Sequence, residues 1–150
     1  MISTTIDQEI KQAMLAKDAA KLRGLRAIKA ALLLAKTEKG HTEEIDADAE
    51  IKILQRLVKQ RKESATIYKE QGREDLYAVE QEEIEVISHF LPKQLDQAEI
   101  ETIIGKIISE TGATSIKEMG KIMGLANKEL AGKADGKLIG EIVKAKLGSL

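Results

Sequence analysis

The sequence predicts an all-α fold in two helical domains: an N-terminal long-helix domain over 1–92 and a small C-terminal three-helix bundle over 93–150. Three observations carry this. Apolar residues recur at three- and four-residue spacing through most of the chain. The chain is 43% hydrophobic but only 2% aromatic, so its core must come from Leu, Ile, Val, Ala and Met; with abundant Glu and Lys, that mixture favours helix over sheet. The third is the single proline, in Phe90-Leu91-Pro92-Lys93-Gln94-Leu95. Pro92 has no N–H to donate and biases Leu91 away from the α region, so a helix must stop before it. Asp96 and Glu99 then form a D-x-x-E start signal for the next helix.

The elements follow in order. Thr5-Ile6-Asp7-Gln8 reads as a capping-box-like start, with Ile6, Ile10 and Met14 four residues apart. Lys17-Asp18 is a point of interruption or passage. From Ala19, the residues Leu22, Leu25, Ile28, Leu32 and Ala35 continue a helical stripe, ending at Gly40 as a left-handed stop. Residues 40–46 form the longest polar connection. Asp46 or Asp48 caps a third helix with Ile51, Leu54, Val58, Ala65 and Tyr68 on its stripe, closed by Gly72. A fourth runs from about Glu74 to Phe90 through Leu76, Val79, Ile84 and Ile87, with Leu91 beyond.

The third helix carries Lys52, Arg56, Lys59, Arg61, Lys62 and Lys69, and the fourth carries Glu80, Glu82, Glu83 and Glu85. A short connection predicts an antiparallel pair with these charges facing one another. Exposed pairs contribute only ~0.2–1 kcal/mol each, so they would specify pairing more than stability.

Beyond Pro92 the elements are shorter. Gln97 to Glu110 is amphipathic through Ile100, Ile103, Ile104, Ile107 and Ile108 and stops at Gly112. Ser115 with Glu118 forms a capping box for the next helix, and Asp135 caps a last one with Leu138, Ile139, Ile142, Val143 and Leu147 inward.

Composition excludes several classes. There is no cysteine, hence no disulfide, thiolate metal site or cysteine nucleophile. The net charge of −1 offers no global field for nucleic acid or an acidic membrane, so any attraction must be local. No apolar run approaches the roughly 18 residues of a membrane span. No basic-then-apolar leader is read at the N-terminus, and the expected location is cytoplasmic. His41 and His89 are the only imidazoles and have no partner at ligand spacing, so no metal is expected. The Glu80–Glu85 run has the residue type for acid–base work, yet reads more simply as a solvated or salt-bridged face. No phosphate-binding glycine loop or dinucleotide fingerprint occurs, so no cofactor is expected. No catalytic residue is identified.

The C-terminal glycines and lysines say more. Gly120 and Gly124 lie four apart, and Gly132, Gly136 and Gly140 repeat the interval. Two glycines inside a helix cost ~2 kcal/mol against alanine, which close backbone packing or an approaching ligand would offset. Gly132 reads more simply as a helix stop, and Gly136 falls in the first turn after Asp135. Residues 117–146 hold seven lysines against four acids. No arginine follows Arg73, so bidentate phosphate forks are absent there. Lysine point charges beside free N–H groups at the helix starts of Ser115 and Asp135 would suit phosphates. The candidate nucleic-acid-binding set is Lys117, Lys121, Gly124, Lys128, Lys133 and Lys137.

At these residues the chain resembles a known family. Met119-Gly120-Lys121-Ile122-Met123-Gly124, then Gly132-Lys133-Ala134-Asp135-Gly136-Lys137 and Glu141-Ile142-Val143, are similar to the C-terminal signature of YqeY-like proteins. Phe90-Leu91-Pro92-Lys93-Gln94-Leu95, Gly72-Arg73-Glu74-Asp75-Leu76 and Leu25-Arg26-Ala27-Ile28-Lys29 resemble further motifs of that family. The resemblance covers essentially the whole chain. It departs at Lys133, where many relatives have arginine. It implies an architecture shared with the tail of the B subunit of glutamine-dependent aminoacyl-tRNA amidotransferase, which helps hold tRNA. It also implies a link to carbon–nitrogen ligase chemistry with glutamine as amide donor, although the domains that perform that reaction have no counterpart here. The expected role is a tRNA- or RNA-contacting accessory module, with tRNA or an aminoacyl-tRNA-related complex as partner. The rival readings are an amidotransferase-type enzyme with unidentified catalytic residues and a helical protein–protein adaptor.

Overall fold

The computed structural model describes residues 1–38 and 45–150; the Gly40 stop and His41 lie outside the described residues. The described chain is all-helical, with α1 (Ile2–Leu15), α2 (Ala19–Glu38), α3 (Ala47–Glu70), α4 (Glu74–Ser88), α5 (Gln97–Thr111), α6 (Met119–Glu129) and α7 (Gly136–Gly148). A 3₁₀ turn over Ile116–Glu118 leads into α6. The backbone forms two compact units, Met1–Pro92 and Lys93–Leu150.

In the first unit α1 starts earlier than the Thr5 signal suggests. Its cap is not local. Glu50, at 5% exposure the one buried charged residue among those described, accepts a hydrogen bond from the Ser3 N–H at 2.7 Å. Asp7, read as part of a start, instead pairs with Lys29 of α2 at 2.6 Å. Lys17 takes a left-handed φ of 55°, ending α1, and Asp18 accepts from the Lys21 N–H to open α2. Asp46, not Asp48, caps α3, accepting from the Ala49 N–H at 2.8 Å.

The connection to α4 turns on Gly72 at φ 71°, which lets the Arg73 N–H reach back to the Tyr68 carbonyl at 2.8 Å. Ion pair Arg61–Glu83 and the Lys69–Tyr77 contact place α3 and α4 antiparallel. α4 ends at Ser88, before the expected Phe90, leaving Phe90 and Leu91 in turns against the core. That core gathers Ile2, Ile6, Leu25, Ile28, Leu54 and Ile87 with their neighbours. Ile51 and Tyr68, expected on the α3 stripe, are only half-buried, whereas Leu57 joins it.

The expected face-off of α3 and α4 charges is largely not what forms. Arg61 is the α3 cation whose ion pair with α4 is defined, to Glu83 at 3.1 Å; Glu82 and Glu83 also meet Arg23 of α2. The reason is geometric. Most basic positions of α3 sit opposite its buried stripe and point to solvent.

Glu80 completes this cluster. It is half-buried, and its Oε2 has no hydrogen-bond partner among the described residues. Burial pushes its carboxyl up from the ordinary value, the Glu83 charge adds to the rise, and Arg61 pulls it back. The folded chain therefore holds this proton more tightly than the unfolded chain. Glu80 costs stability near neutral pH, and the cost fades as pH falls through the raised value towards the ordinary glutamate range. Glu80→Gln should raise the urea midpoint at about pH 7 and lose that advantage by about pH 4. Urea titrations of both proteins at the two pH values check this; an equal midpoint at neutral pH would refute it.

In the second unit α5, α6 and α7 each pack on the other two. Ile100, Ile104, Ile122, Ala126, Leu130 and Val143 are fully enclosed there. α5 starts at the Asp96 cap, which accepts from the Glu99 N–H at 2.8 Å, and closes at Gly112. Ser115 and Glu118 form the anticipated capping box, and Asp135 caps α7.

Candidate functional site

The candidate residues fall into two groups. Lys117, Lys121, Gly124 and Lys128 follow one another along the 3₁₀ turn and α6, with Lys121, Gly124 and Lys128 at helical spacings of three and four residues, hence on one side. Lys133 and Lys137 flank the Asp135 cap at the start of α7. All five lysines are exposed, and none forms an ion pair with another described residue. Several cations of the first unit contrast with this: Lys21, Arg23, Lys29 and Arg61 all have carboxylate partners on a neighbouring helix.

The acids of this region are partly occupied. Glu118 Oε2 accepts from the Thr114 N–H at 2.6 Å and the Ser115 N–H at 3.4 Å. Asp135 accepts from the Lys137 N–H at 3.4 Å. Their charge is spent against the positive ends of two helices. The same caps correct the expectation of free N–H groups there, because the chain's own side chains already take some of them. Lysine charge, not helix-end N–H, is what this surface has to offer an anion. Lys128 offers least: it shares a shallow hollow of about 410 Å³ with Glu110 and Glu129, which offset its charge at longer range.

A Cβ built on Gly120 or Gly124 meets nothing within 4 Å, so close packing within the chain does not explain them. Both are exposed, leaving bare backbone on the outer side of α6. Gly140 lies at ordinary contact distance from Met123, its Cβ position 3.7 Å from Cε. Gly132, expected as a helix stop, lies beyond it: α6 ends at Glu129 with Leu130 as its cap, and Gly132 takes a left-handed φ of 75° in the turn closed by the Lys133 N–H on the Leu130 carbonyl at 2.9 Å.

Gln94 and Leu95 take part in a way the sequence reading missed. The Gln94 Nε2 donates to the Gly132 carbonyl at 2.7 Å, and the Leu95 N–H donates to the Lys133 carbonyl at 2.9 Å. The segment after Pro92 thus clamps the α6–α7 loop and holds the backbone of Lys133 in place. Its only visible signal was a polar Gln between two leucine positions, which a boundary reading passes over.

Other candidates stand apart. His89 is exposed and meets the Phe90 ring edge to face at 5.3 Å. Among the described residues no three of His, Asp and Glu come together as a ligand set, and no helix is long and apolar enough to cross a membrane. Asp75 is held below the usual carboxylate range by its hydrogen bond from Arg73, with the Leu76 N–H adding to the effect.

A family model described as Yqey-like protein matches residues 3–147. The chain belongs to that family. The match runs through α1 to α7, so the glycine- and lysine-bearing loop lies inside the family's own extent. No curated protein matches the chain.

Proposed function

We propose that this YqeY-like protein is an accessory module that contacts tRNA or a similar RNA through the lysines of its second unit. The observation that carries the reading is the set Lys117, Lys121, Lys133 and Lys137, exposed and without ion-pair partners among the described residues. No described residue supplies these lysines with a paired counter-charge, and releasing counterions from a phosphate backbone supplies the driving force. Bare backbone at Gly120 and Gly124 supports the reading, since it leaves room for a close approach beside Lys121. The resemblance to the amidotransferase B-subunit tail supports tRNA in particular, with the amide-transfer chemistry left to partner proteins.

Four phosphate contacts would contribute a slope of roughly −3 to −4 in log K against log salt. Lys121→Gln with Lys133→Gln should make the slope shallower by about one to two and leave helicity unchanged. Anisotropy of labelled total tRNA at several salt concentrations reads this directly. A wild-type slope in the double variant would overturn the reading.

A second reading, a helical adaptor for another protein, is favoured by Leu33 and Leu34, which are 53% and 58% exposed on neighbouring positions of α2.

A further inference from the structure

We infer that α3 carries a second, independent RNA-docking face in the first unit, separate from the lysines of α6 and α7. Residues 52–62 contain five basic side chains and no acidic one. Arg61 is drawn inward to Glu83, while Lys52, Arg56, Lys59 and Lys62 are exposed. At about 100° per residue, those four lie within roughly a third of the helix circumference. Lys52, Arg56 and Lys62 form no ion pair with any described residue.

Length and chemistry select the partner. Lys52 to Lys62 spans ~15 Å of helix axis, and duplex nucleic acid carries one phosphate per strand for about every 3.4 Å of its own axis, so the row is long enough to reach several phosphates. An anionic membrane fits less well. Membrane-surface helices sink an apolar face into the lipid, and the apolar face of α3 is already buried through Leu54, Leu57, Val58 and Ala65. The nearest carboxylates on the same side, Asp48 and Glu63, bracket the row and make no ion pair with Lys52, Arg56 or Lys62. The row is a bounded docking length, not a diffuse basic surface.

The test uses the full chain and fluorescein-labelled total tRNA, with anisotropy read across a salt series. Neutralising Lys52, Arg56 and Lys62 together as Gln should make the log K–log salt slope shallower by about two to three. Lys52→Arg with Lys62→Arg should keep the wild-type slope, because charge and not ammonium geometry is what acts here. If the triple variant melts non-cooperatively, Arg56→Gln alone carries the test, with an expected slope change of just under one. A triple variant with the wild-type slope overturns the inference. So does competition by polyglutamate equal to that of unlabelled tRNA at matched charge, which would assign the face to acidic protein. Binding of phosphatidylserine vesicles in place of tRNA also overturns it. Loss of binding in the α3 variant but not in the Lys121/Lys133 variant supports this face and removes the other; the reverse pattern removes this one alone.

Discussion

Gly24→Ala is expected to destabilise the protein, although alanine is the better helix former. A Cβ at Gly24 would stand 2.6 Å from Val86 Cγ1 and 2.7 Å from Val86 Cβ, with α2 and α4 in contact at that point. No rotamer of Val86 moves its own Cβ, so the two helices must part. Overpacking of this kind costs about 1–3 kcal/mol, against the ~1 kcal/mol that Gly→Ala returns in helix propensity. The net effect should lower the melting temperature by some 4–8 °C for each kcal/mol lost in a unit of this size. Val86→Ala in the same chain should rescue only part of the loss, because it removes Cγ1 and leaves Cβ. Gly124→Ala is the control with the opposite sign. Its Cβ meets nothing, so it should stabilise by up to ~1 kcal/mol. Thermal melts of the three variants decide the matter; a stabilised Gly24→Ala would mean that α2 and α4 are not held this closely.

Ile104→Ala should have the largest effect on the second unit. Ile104 is fully enclosed in a core built from α5, α6 and α7, and such truncations cost about 2–5 kcal/mol. A unit of this length holds roughly 3–9 kcal/mol in total, so little would remain. The buried core around Ile104 shares no residue with the one around Leu54. Amide exchange protection should therefore collapse over α5–α7 and persist over α1–α4, while Leu54→Ala should do the converse. Hydrogen exchange read by mass spectrometry separates these outcomes. Protection lost throughout the chain in both variants would show one cooperative unit and refute two-domain behaviour.

Much of the local structure was legible because its signals are local. The caps at Asp46, Asp96, Ser115 and Asp135 use side chains within four residues of the N–H groups they serve. Left-handed stops at Gly72 and Gly112 follow from the one residue type that takes such φ angles without strain. The α1 start was misread for the converse reason, since its cap comes from Glu50, 47 residues away. The candidate lysines were legible as a charge surplus, but their freedom from ion pairs was not, because a sequence shows which charges exist and not which way they face.

Spacing over a few residues was enough for the all-helical class, for the locally capped starts of α5 and α7 and for most of the buried stripe positions, while Met14 and Val79, on the expected stripes, are exposed. Tertiary structure alone decided three things. It made Gly24 the glycine that close packing requires and left Gly120 and Gly124 open. It brought Glu82 and Glu83 of α4 to Arg23 of α2, with Glu83 also held by Arg61 of α3. It bound Gln94 and Leu95 to the loop before α7. Each depends on which residues distant in the chain meet when helices pack, a geometry that no periodicity within one helix encodes.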